Sequence, residues 1–408
     1  MRKDNAIKKS QSRSFLSGSL FLFALAHLAH HLVTSLPEPL GPFIREEFQL
    51  NLVQAGWMIS AFNISYGLGQ LPASWLAGRI GHRTLITIGI CGVALVGFFI
   101  GFSQTYTMLI ILLVIMGLVG GGYHPSALPL IAQSVNAKIR GRALGLHQIG
   151  GSSSFFLVPL IGVAIAGAWG WRGSFIGLAI PTMIFGIILY ILLVRNKRTD
   201  THQPVAEDDH DEITASYATV RHIVVFIILS TIPHIVAHSV KALLPYFMEY
   251  KFDWSEGSSG AFLAIFYSTG IFVSLLGGYL SDRFGAVRVV VVISIIGGLA
   301  IYLLNVVPGS FLVGVVTFII GTVVHMRMVA SSAYIVGRTA PHQRAMVFGI
   351  YFAIMQSNSS LTQVVGWLIE KWSYSTAFAI AAIATVAVTV ICAMLLRGGR
   401  DNNVHNIK

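Results

Sequence analysis

The chain has 408 residues, of which 55% are hydrophobic and only 11% charged, and its mean hydropathy is +0.74. A soluble domain carries about 25% charged residues and cannot bury that much apolar surface. A soluble enzyme, a nucleic-acid binder and a disordered chain are therefore excluded, and the net charge of +11 must be explained by where the basic residues sit. The two cysteines, Cys91 and Cys392, lie inside apolar runs and make neither a disulfide framework nor a zinc cluster.

A helix crosses a bilayer core with about 20 apolar residues. Twelve such runs follow one another: 15–36, 53–77, 84–103, 107–133, 143–168, 172–194, 221–247, 258–281, 287–305, 309–337, 343–368 and 373–396. The first follows a basic start, Arg2 to Arg13, which imitates a signal peptide. Its apolar run is too long for that, and it leads into Ser35-Leu36-Pro37-Glu38-Pro39 instead of a small-residue cleavage site, so it is read as the first span. The stretch 195–220, with its acidic run Glu207, Asp208, Asp209, Asp211 and Glu212, reads as a solvated linker. It separates an N-terminal six-helix bundle, 1–194, from a C-terminal six-helix bundle, 221–408. The expected fold class is an all-α membrane protein of twelve transmembrane helices.

Orientation follows from the basic residues. With the N-terminus inside, 21 of the 27 Lys and Arg fall in cytoplasmic segments and four (Arg45, Arg172, Lys251 and Lys371) fall outside. This predicts a multi-pass protein of a bacterial inner membrane with both termini and the linker in the cytoplasm. It also accounts for the positive charge without nucleic acid. Lys241 and Arg327 remain within the membrane.

The two halves repeat in the same direction. Arg79 and Gly81 recur as Arg283 and Gly285, and Phe48 as Phe252, each 204 residues on, which is half the chain. Parallel repeats of six spans are one of the duplication patterns of secondary transporters. Gly278-x-Leu280-x-Asp282-Arg283-x-Gly285 resembles the loop motif of the major facilitator superfamily. That resemblance implies two six-helix halves, transport by alternating access, and a charge cluster of Asp282 and Arg283 that locks the cytoplasmic gate. The first-half copy has Ser74 and Gly78 where the motif has glycine and aspartate, but it keeps Arg79, Gly81 and Arg83. Tyr123-His124-Pro125 and His147-Gln148-Ile149-Gly150-Gly151 further resemble the fosmidomycin-resistance branch of bacterial exporters.

Ionisable groups inside a bilayer are costly, and function is their default explanation. Nine lie deep in the spans: His27, His30, His31, His124, His234, His238, Lys241, His325 and Arg327. All fall in spans one, four, seven and ten, which line the cavity in the superfamily it resembles. His27, His30, His31 and Thr34 share one helix face by their spacing, as do His234, His238 and Lys241. Tyr123 precedes His124, and Glu38 extends the first stripe outward. No Asp or Glu lies mid-span, so histidine, which titrates near neutral pH, is the expected proton carrier. Lys241 and the cavity-facing Arg327 are expected to bind an anion. Trp57, Tyr66 and Tyr267 are candidate aromatic walls, and Gln148, Gln356, Asn358 and Gln363 candidate hydrogen-bonding groups.

The resulting expectation is a proton-coupled secondary transporter for a small anionic or zwitterionic solute. It is expected to be monomeric, with the solute, protons and the lipid bilayer as partners, no nucleic acid, no cofactor and no enzymatic activity. One alternative makes His27, His31, His234 and His238 ligands for a divalent metal or metal-chelate substrate. A remoter one reads the histidine spacing as a membrane di-iron oxidase.

Overall fold

The computed structural model describes residues 21–134, 140–195, 217–339 and 341–397. Both termini and nearly all of the 195–220 linker lie outside the described residues. Every regular element among the described residues is helical. The N-terminal half contains α1 (Phe21–Thr34), α2 (Gly41–Phe48), α3 (Leu52–Ile80), α4 (His82–Ile100), α5 (Tyr106–Gly120), α6 (Tyr123–Ser134) and α7 (Arg140–Arg195). The C-terminal half contains α8 (Tyr217–Ala242), α9 (Leu244–Phe252), α10 (Glu256–Ala261), α11 (Leu263–Phe284), α12 (Ala286–Val306), α13 (Gly309–Arg338), α14 (Pro341–Gln356), α15 (Thr362–Lys371) and α16 (Tyr374–Arg397).

Among the described residues, seven helices are by themselves long and apolar enough to cross a membrane. The remaining passes are built by breaks and turns that the sequence dictates. Helix α7 changes direction at Trp169 and Gly170, where the backbone leaves helical dihedrals. The Ser174 hydroxyl then donates to the Gly162 carbonyl at 2.7 Å, so spans five and six form a hairpin within one continuous assignment. Span one breaks between α1 and α2, where Pro37 and Pro39 flank Glu38 and remove two backbone donors. Span eleven breaks between α14 and α15 across the turn at 357–361. Breaks at membrane depth are tolerated where backbone lines a cavity or is buried in protein, and both of these breaks adjoin the central cavity.

The duplication is visible in the backbone. Gln49 ends α2 in the left-handed region with φ 50°, and Asp253, 204 residues later, ends α9 with φ 54°. Gly81 and Gly285, the loop-motif glycines, adopt φ 81° and 85° with extended ψ, a conformation that essentially only glycine adopts.

The two halves touch at the end that the basic-residue count places outside. Arg45 on α2 lies 3.8 Å from Glu249 on α9. Glu370 on α15 accepts from the backbone N–H groups of Leu52 and Val53, so a carboxylate from one half caps the N-terminus of α3 in the other, where the helix dipole favours it. Ser60 donates to the Ser359 carbonyl at 3.0 Å. At the opposite end, Arg79 stacks over Trp75 of its own helix at 3.8 Å and Arg283 donates to Tyr279 of its own helix at 3.0 Å. Arg83 lies in the first turn of α4 and is partly buried. Gly278 and Asp282 belong to α11, and the Asp282 side chain lies outside the described residues.

Candidate functional site

A cavity of about 150 Å³ lies between the halves. Histidines from both halves line it: His27, His31 and His124 from the first, His234, His238 and His325 from the second. Thr34, Glu38, Tyr66, Tyr267, Gln148, Gln356 and Asn358 complete much of the expected wall. Trp57 is nearly half exposed and not part of it, and Gln363 bonds to Ser60 instead.

The break after α1 turns Glu38 inward. One of its carboxylate oxygens accepts from the Lys241 ammonium and from the Tyr267 hydroxyl at 2.8 Å, and the other accepts from the Ser359 hydroxyl at 3.1 Å. The carboxylate of the first half is thus held by three donors of the second. Tyr267 also receives a hydrogen bond from Lys241 at 2.8 Å. The sequence treats Glu38 as the outer end of a stripe and Lys241 as a free cation; in the fold they are one buried ion pair that bridges the halves.

Lys241 stands behind Glu38, and three further expected site residues lie off the cavity wall. His30 is fully buried and faces span three: Nδ1 pairs with the Gly89 carbonyl at 3.2 Å and Nε2 with the Tyr66 hydroxyl at 2.9 Å. Tyr123 is also fully buried and stacks on the His30 ring at 4.3 Å. Arg327 is the third, and it corrects the expectation that its guanidinium enters the cavity. It is 1% exposed and donates from Nη2 to Ser294 on α12 at 3.1 Å, while His325 takes the cavity side and bonds through Nδ1 to Thr269 and to the Gly321 carbonyl. Positions i and i+2 diverge by about 200° on a helix, so the two cannot share a face. The cavity wall therefore holds imidazoles and one paired carboxylate, with neither expected cation free on it.

His147, which the sequence singles out only as part of a motif, belongs to the histidine cluster. Its ring stacks on His27 at 4.1 Å with an interplanar angle of 13°, and His124 meets His27 edge-on at 5.1 Å. One ring nitrogen from each of His27, His124 and His147 lies within 4.8 Å of the others. The neighbouring Gly151 makes this approach possible, since a Cβ there would fall 2.3 Å from the His27 ring. Asn63, Ser152, Phe155, Tyr351 and Phe352 also line the cavity. They carry no charge and had no sequence signal beyond lying within spans.

The sequence profile of the Major Facilitator Superfamily matches residues 23–240 and again 235–407. The chain belongs to that superfamily. Multidrug resistance protein MdtG of Enterobacter lignolyticus (strain SCF1) is 24% identical over 92% of this chain and 87% of its own length. The probable L-galactonate transporter of Escherichia coli (strain K12) is 26% identical over 53% of this chain, a match spanning 44% of that protein. Among solved structures, a bacterial homologue of the human lysosomal transporter Spinster, in an inward-facing and occupied conformation, superposes with a TM-score of 0.75 at 17% identity, covering 93% of this chain and 96% of that one. The protein is thus a multi-pass, helical membrane transporter with a small-molecule substrate. The di-iron oxidase reading falls with this membership.

Proposed function

We propose that this transporter carries a small organic anion across the inner membrane, with its termini in the cytoplasm, and exchanges or co-transports protons. The observation that carries the reading is the Glu38–Lys241 pair, which joins the two halves beside an imidazole-lined cavity. A carboxylate held by donors of the opposite half reports whether the halves are together. A solute carboxylate can compete for the same donors, Lys241, Tyr267 and Ser359. The His234–His238 pair, with ring centroids 4.3 Å apart one turn below, offers proton acceptors on the same face. The L-galactonate transporter among the relatives is named for an anion of this size, and MdtG for drug resistance.

The reading is tested in proteoliposomes loaded with buffer and given an imposed pH gradient. Uptake of labelled L-galactonate and of a panel of small carboxylates is measured with and without a protonophore. At least one carboxylate should accumulate above equilibrium and lose that accumulation when the gradient collapses. Accumulation restricted to lipophilic cations would replace the anion reading with a drug-export one.

A further inference from the structure

Histidines that only hold helices together use both ring nitrogens, as His30 does with Gly89 and Tyr66. Several others, His27, His124 and His147 among them, do not. His27 Nδ1 donates to the His147 carbonyl at 2.8 Å, and His147 Nδ1 donates to the Phe23 carbonyl at 3.1 Å. A carbonyl only accepts, so in both rings the proton sits on Nδ1 and the lone pair on Nε2. The Nε2 atoms of His27, His147 and His124 are buried and have no hydrogen-bond partner. An unpaired buried acceptor costs free energy; His27 and His147 each leave one, and the unpartnered Nε2 of His124 is buried beside them.

We propose that His27, His124 and His147 bind a first-row divalent cation of the zinc class through these atoms, with one coordination position open to the central cavity. A carbonyl holding the far nitrogen of an imidazole is the usual support of a metal-binding histidine. Zinc–nitrogen bonds of 2.0–2.1 Å place tetrahedral ligand atoms about 3.3–3.4 Å apart. One ring nitrogen of each lies within 4.8 Å of the others, and bringing them to that spacing requires the stacked His27 and His147 rings, 13° from parallel, to tilt until their in-plane lone pairs meet. Three neutral nitrogens without a carboxylate favour zinc, cobalt, nickel or copper over magnesium or calcium. Three-ligand sites leave a position for water or substrate. His27 and His124 line the cavity and His147 stands behind them, so that position faces the cavity. This set differs from the four histidines that the sequence pairs across the halves.

The site also answers a question of charge. Lys241 is engaged by Glu38 and Arg327 points away, so a bound dication becomes the cavity's uncompensated positive charge. A carboxylate oxygen of the solute is its natural fourth ligand. This second step rests on the anion-transport reading; the metal site does not.

The purified full-length protein, stripped with chelator, is titrated with Co²⁺ and followed by visible absorption, which is intense for four- or five-coordinate nitrogen ligation and weak for the aqueous ion. One saturable ion per chain, displaced by Zn²⁺, is expected. His147→Gln and His124→Gln should each weaken binding roughly tenfold or more, while His82→Gln should not. Wild-type protein without intense bands at one equivalent overturns the site whatever the variants do, as does undiminished binding in both variants. L-galactonate should shift the bands of the Co²⁺-loaded protein. Unshifted bands with Co²⁺ bound overturn solute coordination alone, and transport that persists in a protein failing the Co²⁺ test overturns the site and leaves the anion reading standing.

Discussion

Lys241→Met is the sharpest perturbation of the closed outer end. The Lys241 side chain is fully buried and that of Glu38 is 11% exposed. Removing one partner of a buried pair costs about 3–5 kcal/mol, because the remaining charge has lost its compensation. Tyr267 and Ser359 still donate to Glu38 in the variant, so the lower end of that range applies. About 3 kcal/mol is a factor of about a hundred in an equilibrium. The pair exists only when the halves are together, so the cost falls on the outer-closed state, and the variant should shift toward an outer-open one. Spin labels on the exposed positions Gln104 and Phe311, one on each half, would read this as a longer distance population. Replacing both partners of a buried pair by neutral groups is close to neutral, so Glu38→Gln combined with Lys241→Met should return most of the short-distance population. Identical distance distributions in wild type, single and double variants would refute the argument that this pair holds the outer end shut.

Three further outcomes follow from the geometry. Glu249, beyond the end of span seven, is pushed up to about 7 by burial, against the opposing pull of Arg45. An acid raised in the closed state stabilises it below the acid's ordinary value, and that stabilisation is lost as pH rises through about 7. Outer closure should therefore weaken as pH rises from about 4.5 to about 7 and level off above that in the same distance measurement, and Glu249→Gln should flatten that dependence; a Gln variant as pH-sensitive as wild type would exclude Glu249 as its source. Gly285→Ala should lower stability by about 1–3 kcal/mol in a thermal unfolding assay, purely through its backbone conformation, since nothing lies within 4 Å of the added Cβ; an unchanged midpoint would refute this. Arg327→Gln should leave the affinity for a transported anion within about twofold, measured by equilibrium binding, because the guanidinium contacts Ser294 and not the cavity; a tenfold loss would return Arg327 to the site.

The fold was legible because hydrophobic run length and a repeat offset of 204 survive without any knowledge of packing. The same offset also carries side-chain orientation. It aligns Tyr123 with Arg327 and His124 with Met328. In the fold, Tyr123 and Arg327 both lie off the cavity while His124 and Met328 both line it. The orientation of Arg327 was thus available from its partner in the other half. The cost of an unpaired guanidinium in the membrane excludes a lipid-facing Arg327 but does not choose between a cavity and a neighbouring helix. The pairing of Glu38 with Lys241 was not legible for a different reason. Pro37 and Pro39 announce a broken helix, but where a broken chain points its side chain depends on the opposite half. His147 stayed outside the expected cluster because stacking against His27 depends on how closely spans one and five approach, and Gly151 sets that approach without leaving any periodic pattern.

The repeat also constrains how a cation could take part in transport. His147 aligns with Tyr351, and Gly150 and Gly151 with Ile354 and Met355. The second half therefore fills with larger side chains the space that the first half leaves for stacked imidazoles. All three proposed ligands belong to one half and move with it as that half rocks. Their mutual geometry is then the same in the outward- and inward-facing states, and by itself the triad cannot release a cation on one side in preference to the other. A ligand can shift an equilibrium between two states only through its differential affinity for them. That difference has to come from the fourth position, which faces the cavity and changes its surroundings when the second half moves. With a solute carboxylate there, cation and anion share one site whose completeness depends on both halves, so coupling between them requires no second cation site. Without the solute, the bound cation should leave the distance between labels on Gln104 and Phe311 unchanged. With L-galactonate added, the same cation should shift it, and a cation that moves the halves alone would contradict a triad confined to one half.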